Sequence, residues 1–502
     1  MSLLAIDIGS SSCKAVLFTV EGDILARHSS AYAPEFPQPS HAEMDPGRFW
    51  DAVCCCAQAV AKHLTDPIRA LCLSSHGETF IPINQRNEAI APAILNQDSR
   101  ALTEAAWLDQ QFGRRRLFEI TGLTAHAMYP VPKILWLRKY QPEIFSSTAR
   151  FVSVIGYILL RLGLAPYIDY SLASRYLAFD VRKRRWSEDI LEVANLKSDR
   201  LPVPVPAGTV AGTLTASSAS QLGLPPGTRV VVGGHDQPCG ALGVGVVGPG
   251  HVADSIGTYE CVLAASDSPM LTDNALAGSL NSYCHVVPDR FVTIAYFPSG
   301  TMVKWFHDLL YVDRSRQAGS VAEESEAEHY AFLEAHAPTG PTGLCITPNL
   351  IGTCNPDFNP HARGIIYGLR PGTGRSQIYK GILEGIACEL VQITRLLATT
   401  VGEFQDICVA GGGARSALGL TLRAALTGKR LHVMRCSEAV CLGGAILAGV
   451  ATGEYKSIAE ALEQVVHEAA IVAPDLAIAA TYAHQVEQYQ WLSSTVVPMH
   501  SI

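Results

Sequence analysis

Three stretches of this chain pair an acid or a hydroxyl with backbone that a ligand can approach. In Val230-Val231-Val232-Gly233-Gly234-His235-Asp236, β-branched residues read as a buried strand and two glycines open a turn. Asp236 stands where that strand gives way to a small-residue helix, so it either caps the helix N-terminus or serves as a base facing a crevice. In Asp7-Ile8-Gly9-Ser10-Ser11-Ser12, an acid two residues before a glycine turn either holds a hydrated Mg²⁺ beside phosphates or closes an Asx-turn. Gly411-Gly412-Gly413 lies between an apolar strand, Ile407 to Ala410, and a helix from Ala417 to Leu426. Such glycines let a nucleotide approach the backbone and the helix N-terminus, or they form a plain tight turn; neither the Walker pattern nor a complete GxGxxG is present.

Two further clusters are polar enough to wall a pocket. The strand Ile68 to Ser74 delivers Ser75-His76-Gly77-Glu78-Thr79, and the strand Ala93 to Leu95 delivers Asn96-Gln97-Asp98-Ser99-Arg100. Open α/β sheets bind ligands beyond their strand ends, so neighbouring tips of this kind predict a substrate site. His76 at such a tip beside Glu78 is expected to touch substrate, the alternative being a structural histidine with both nitrogens satisfied.

The elements that must hold these residues follow from periodicity and breakers. Leu3 to Phe18 is a strand, a polar turn and a second strand, and Glu21-Gly22-Asp23 turns into a third, Ile24 to Ser30. Asp45-Pro46 starts an amphipathic helix over 49–64. Residues 101–200 read mainly as helices, the proline-rich 201–206 as extended chain, and 378–398 and 442–450 as helices. Ser255-Ile256-Gly257-Thr258 echoes the first hairpin's Ile-Gly-Ser turn, a hint of duplication.

Composition narrows the function classes. The 502 residues suit two large domains, and 48% hydrophobic with 17% charged residues is ordinary for a globular protein. A net charge of −8 and a pI of about 6.1, with no basic run longer than Arg182-Lys183-Arg184-Arg185, speak against a nucleic-acid surface. Asp7 interrupts the apolar start and no basic leader precedes it, so a cytoplasmic protein without membrane attachment is expected. The fourteen cysteines show no zinc spacing and read as reduced core thiols.

The order of these pieces resembles the FGGY carbohydrate kinases. The resemblance runs from Asp7 to about Gly453 and is carried by Asp7 to Lys14, Met128 to Trp136, Gly233 to Gln237, Ser255 to Thr258, Gly381 to Ala387 and Gly411 to Ser416. It implies an α/β fold of two ribonuclease H-like domains, the actin, hexokinase and Hsp70 superfold, with an interdomain cleft. The sugar-side domain is expected over 1–240, the nucleotide-side domain over 241–455, and a helical extension over 456–502. By the same resemblance the cofactors are ATP and Mg²⁺, Asp236 is the base, and Asp7 orients the Mg²⁺ through water. Ser10, Ser11, Lys14, Gly257, Thr258, Gly300, Gly411, Gly412 and Gly413 surround the nucleotide, while His76, Glu78, Asp98, Asp236 and Gln237 meet the substrate.

The substrate patterns point two ways. His76-Gly77 and Asp98 are similar to xylulokinases, whereas Glu78-Thr79 and Gln237 are similar to glycerol kinases. The expected reaction is phosphorylation of a hydroxyl on a small sugar, a ketopentose such as xylulose, with glycerol or another polyol as the alternative. A non-catalytic actin- or Hsp70-like nucleotide switch is the rival from another class. A homodimer is left open. Gly352-Thr353-Cys354-Asn355-Pro356 lacks a Glu-Arg pair found in many relatives, and Tyr140 stands where the family signature expects a polar residue.

Overall fold

The computed structural model describes residues 1–317 and 326–496. The strand Ser2–Ile8 is apolar on both faces, as a central strand must be, and it organises the first half. It pairs antiparallel with Ser12–Thr19 and parallel with Ile68–Ser75. Six strands follow in the order Val210–Thr213, Arg229–His235, Ile68–Ser75, Ser2–Ile8, Ser12–Thr19, Ile24–Ala31. The helix Pro46–Ala61, capped by Asp45, packs on this sheet.

The second half repeats the plan. Val252–Ile256 pairs antiparallel with Tyr259–Ser266 and parallel with Asp406–Ala410, whose parallel neighbour is Arg430–Met434. Its seven-stranded order is Asn281–Cys284, Phe291–Pro298, Tyr259–Ser266, Val252–Ile256, Asp406–Ala410, Arg430–Met434, Glu468–Val472. Six of these strands match the first sheet in order and in relative direction. The hint of duplication in the two Ile-Gly turns therefore extends to whole sheets, and the fold is the expected pair of similar α/β domains.

Two helices join the halves. Asp236–Gly243 leaves the strand Arg229–His235 directly and packs against Ala439–Thr452. A Cβ on Gly243 would lie 1.9 Å from the Ala439 carbonyl oxygen, and one on Gly443 would lie 1.9 Å from that of Cys239. The crossing thus brings backbone against backbone, which only glycine permits. Ala439–Thr452 also covers the first sheet: Leu442, Ala445 and Ile446 share a core with Leu3, Ala5, Cys72 and Val231.

Two expectations need correction. Ala93–Ile94 does not join the main sheet; it pairs with Glu43–Met44 in a two-stranded ribbon. The segment 456–502 is not wholly helical, because Glu468–Val472 lies between the helices Ile458–Val465 and Leu476–Trp491 and closes the edge of the second sheet. That strand is mostly exposed, so it lacks the apolar alternation that marks a half-buried strand. All fourteen cysteines are free, and among the described residues no helix is long and apolar enough to cross a membrane.

Candidate active site

Between the two sheets lies a cavity of about 180 Å³ that takes Asp7, Lys14, Asp236 and Gln237 from the first half and Ser255, Gly411 and Glu438 from the second. Asp236 opens its helix there with the side chain 22% exposed. Its Oδ1 accepts from the Gln237 amide at 2.7 Å and lies 3.1 Å from His235 Nε2. Burial at the cleft, then the nearby Asp7 and Glu78 charges, hold the Asp236 carboxyl well above the usual carboxylate range. Burial likewise lifts Asp7 to about 6, against the hydroxyl of Ser74, which donates to Oδ1 at 3.1 Å. Lys14 faces Asp7 across the hairpin and places Nζ 2.5 Å from Glu438 Oε2. Burial favours the neutral amine, but the Glu438 pair outweighs it and the Lys14 pKa is raised.

The glycine turns of the second half stack on one another. Gly411 has φ +101°, and a Cβ there would sit 2.6 Å from the Ile256 carbonyl oxygen. A Cβ on Gly413 would sit 2.3 Å from Ile256 Cγ2, and one on Gly300 2.4 Å from the Gly257 carbonyl oxygen, whereas Gly412 has open space. A 3₁₀ turn, Gly412–Arg415, separates the strand from the helix Ala417–Thr427. Beneath the turns Arg423 grips Glu260 at 2.9 and 2.6 Å, and Glu260 accepts from Ser299 Oγ at 2.8 Å. Of the expected nucleotide residues, Lys14 and Gly411 line the cavity, whereas Ser10, Ser11, Gly257, Thr258, Gly300, Gly412 and Gly413 do not.

The sugar-side residues separate into different environments. His76 is buried and fully used: Nδ1 lies 2.9 Å from the Ile8 carbonyl and Nε2 2.7 Å from Thr79 Oγ1. The structure thus gives it the bonding of a structural histidine. Asp98 is buried and engaged, its carboxylate accepting from Arg100 and from the Ala42 backbone amide at 2.7 Å, and it does not line the cavity. The ribbon of Ala93–Ile94 with Glu43–Met44 sets this loop beside the first tip, where Lys133 Nζ donates to the carbonyls of both Glu78 and Leu95 at 3.0 and 2.6 Å. Glu78 holds φ +61° and pairs with Arg175 Nε. Burial opposes its charge, but the Arg175 guanidinium wins and keeps the Glu78 pKa below normal. Arg175 in turn lies over the rings of Tyr129 and Tyr283, at 5.2 and 4.8 Å from their centroids.

The N-terminal domain model of the FGGY family of carbohydrate kinases matches residues 2–243, and the C-terminal domain model matches 252–452. The chain belongs to the FGGY family of carbohydrate kinases. It is similar to the xylulose kinase of Escherichia coli K12, 27% identical over 99% of both chains. It is also similar to the gluconokinase of Bacillus subtilis, 27% identical over 91% of this chain and 88% of that one. The crystal structure of xylulose kinase from Lactobacillus acidophilus shares the fold with a TM-score of 0.87 at 22% identity, over 98% of this chain and 99% of that one. The protein is therefore a carbohydrate kinase, a phosphotransferase acting on a small sugar or polyol, and kinases of this family use ATP.

The kinase's cleft suits a metal-bound nucleotide by its donor set. Asp7, Asp236 and Glu438 line it, Glu438 being paired with Lys14 and Arg27, and a hydrated divalent cation would sit among these oxygens without repulsion. No group of three or more His, Cys, Asp or Glu side chains among the described residues could cage one. A Mg²⁺ that keeps its waters and binds through phosphates fits such a set. Sequence reasoning missed Glu438, Arg175, Tyr283 and the Glu260–Arg423 pair. These residues lie far from their partners in the chain and carry no local pattern.

Proposed function

We propose that this kinase transfers the γ-phosphoryl group of ATP to a hydroxyl of a ketopentose such as xylulose, with Asp236 as the general base. The observation that supports this most is the position of Asp236, at the seam of the two halves in one cavity with Asp7, Lys14 and Gly411. Bound Mg²⁺·ATP supplies the transferable phosphoryl group and the cation that screens its charge. Asp236 accepts the proton of the attacking hydroxyl, and the Gln237 amide and His235 orient its carboxylate. Asp7 would hold the Mg²⁺ through water, Lys14 would meet the phosphates, and the turn opened by Gly411 would border the nucleotide. Gln237 and Glu78 lie on the sugar side, and closure of the two domains excludes water.

D-Gluconate is the second candidate, favoured by the similarity to a gluconokinase over most of the chain. The test is ATP consumption against pentuloses, sugar acids and polyols, with wild type and Asp236→Asn compared. Turnover that depends on D-xylulose and falls at least about a thousand-fold in Asp236→Asn is expected, as for loss of a positioned base. Slow ATP hydrolysis indifferent to every sugar would overturn the reading in favour of a nucleotide switch. Substantial activity in Asp236→Asn would remove Asp236 as the base.

A further inference from the structure

Arg175 is 3% exposed, yet its Nη1 has no hydrogen-bond partner. The rest of the residue is held from three sides. Nε donates to Glu78 Oε1, and the guanidinium is clamped between Tyr129, from the first half, and Tyr283, from the second. The Tyr129 hydroxyl is itself 2.9 Å from Asn281 Oδ1, and the Tyr283 hydroxyl is 3.0 Å from His235 Nδ1. Gly77 makes this possible, since a Cβ there would lie 3.2 Å from Arg175 Cγ and 3.1 Å from His235 Nε2. The chain thus builds a rigid seat for the guanidinium one aromatic ring away from the His235–Asp236 pair and leaves a charged donor empty-handed. A buried donor without an acceptor is costly, so an acceptor is expected to arrive with a ligand.

Resting on the reading of Asp236 as the base that meets the sugar, we propose that Arg175 Nη1 is a substrate contact that selects sugars carrying a carbonyl-type oxygen next to a hydroxyl. Arginine only donates, and a carbonyl or carboxylate oxygen only accepts, so the two match without a leftover proton. The adjacent hydroxyl finds its acceptor in the Glu78 carboxylate, which Arg175 keeps charged. A ketose and an aldonic acid both present this arrangement; their reduced polyols do not. Loss of a buried polar partner discriminates strongly between such pairs.

The experiment compares wild type with Arg175→Gln on D-xylulose against xylitol and on D-gluconate against D-glucitol. The variant should lose roughly ten- to a hundred-fold in kcat/KM on the oxo member that the wild type uses, as for a hydrogen bond to a charged donor. The polyol rate and the KM for ATP should change little. The arm that collapses identifies ketose or aldonate. If the single variant fails to fold, Arg175→Lys keeps a cation beside Glu78 but supplies no forked second nitrogen at the Nη1 position, and the same ratios are read. Equal losses on both members of a pair, or no loss on either, overturn the proposal. So does a wild type that prefers xylitol or D-glucitol. D-xylulose binding to Asp236→Asn and to Arg175→Gln, measured by calorimetry without ATP, separates the two readings. Asp236→Asn should bind and not turn over whatever Arg175→Gln does.

Discussion

His235 Nε2 lies 3.1 Å from Asp236 Oδ1, and Nδ1 of the same ring lies 3.0 Å from the Tyr283 hydroxyl. Burial pushes the His235 pKa down to about 3, so the ring is neutral at working pH. A neutral imidazole donates from one nitrogen and accepts at the other; Nδ1 meets the Tyr283 hydroxyl, while Nε2 approaches the Asp236 carboxyl closely without a formed hydrogen bond. Tyr283 belongs to the strand Asn281–Cys284 of the second sheet, so a residue of one half holds a ring of the other in place beside Asp236.

Tyr283→Phe should therefore lower kcat up to about ten-fold, the net worth of one hydrogen bond. It should also move the acidic limb of the pH profile upward, because the ring is no longer held where it can come to donate to the carboxylate. Steady-state kinetics across pH check both effects, and a variant with unchanged kcat and limb would show that His235 does not orient Asp236.

The wild-type pH profile has a defined sign. On the proposed mechanism Asp236 acts deprotonated, and burial with the Asp7 and Glu78 charges holds its pKa well above normal. Accordingly kcat/KM should rise with pH through a limb displaced above the ordinary aspartate value of about 4. Glu78→Gln removes one of the neighbouring negative charges and should shift that limb downward. A wild-type limb at about 4 would mean that the free enzyme's cleft does not desolvate the base.

The three glycines of the 411–413 turn should behave differently. Gly413→Ala forces a Cβ to 2.3 Å from Ile256 Cγ2, and Gly411→Ala adds a clash with the Ile256 carbonyl at φ +101°. Each should destabilise by about 1–3 kcal/mol, the usual cost of overpacking. Gly412→Ala meets nothing within 4 Å. It should leave the thermal midpoint in place and, if the turn borders the nucleotide as proposed, raise the KM for ATP alone. Calorimetry with ATP kinetics on the three variants separates fold from ligand, and an unchanged ATP KM in Gly412→Ala would remove that backbone from the nucleotide site.

Local pattern and physical reach divide what the sequence discloses from what it hides. The strands ending at Ile8 and His235 and the helix around Leu383 and Leu390 carry strong apolar signals, and the structure forms them as read. Asp236 and Asp7 were legible because an acid beside glycine at a strand end is a local signature. The sheet edge at Glu468–Val472 was not, since an exposed edge strand has no buried face to pattern. The pairing of Ala93–Ile94 with Glu43–Met44 was hidden too, since a two-residue strand is too short to show which partner it takes. Arg175 reaches Glu78 across 97 residues and Arg423 reaches Glu260 across 163, so only the assembled fold reveals either pair.

The last pair yields the largest stability effect. Arg423 is buried with Glu260 and Asp254, and neither oxygen of Asp254 has a hydrogen-bond partner. Burial, then the Glu260 charge, raise the Asp254 pKa well above normal, and Arg423 opposes them. Arg423→Met leaves two acids in the core with no cation and should cost about 3–5 kcal/mol, as for a broken buried pair. The pH dependence then follows from linkage. An acid whose folded pKa is raised binds more protons in the native state, so stability falls as pH rises from the unfolded to the folded pKa. Removing Arg423 raises Asp254 further, so the deficit in Tm should be smaller at pH 5 than at pH 8, and Glu260→Gln/Arg423→Met should recover part of it. Thermal unfolding at both pH values checks this. A deficit independent of pH and unrelieved in the double variant would mean that Arg423 stabilises through packing of its aliphatic stem and not by holding two carboxyls beneath the Gly257 turn.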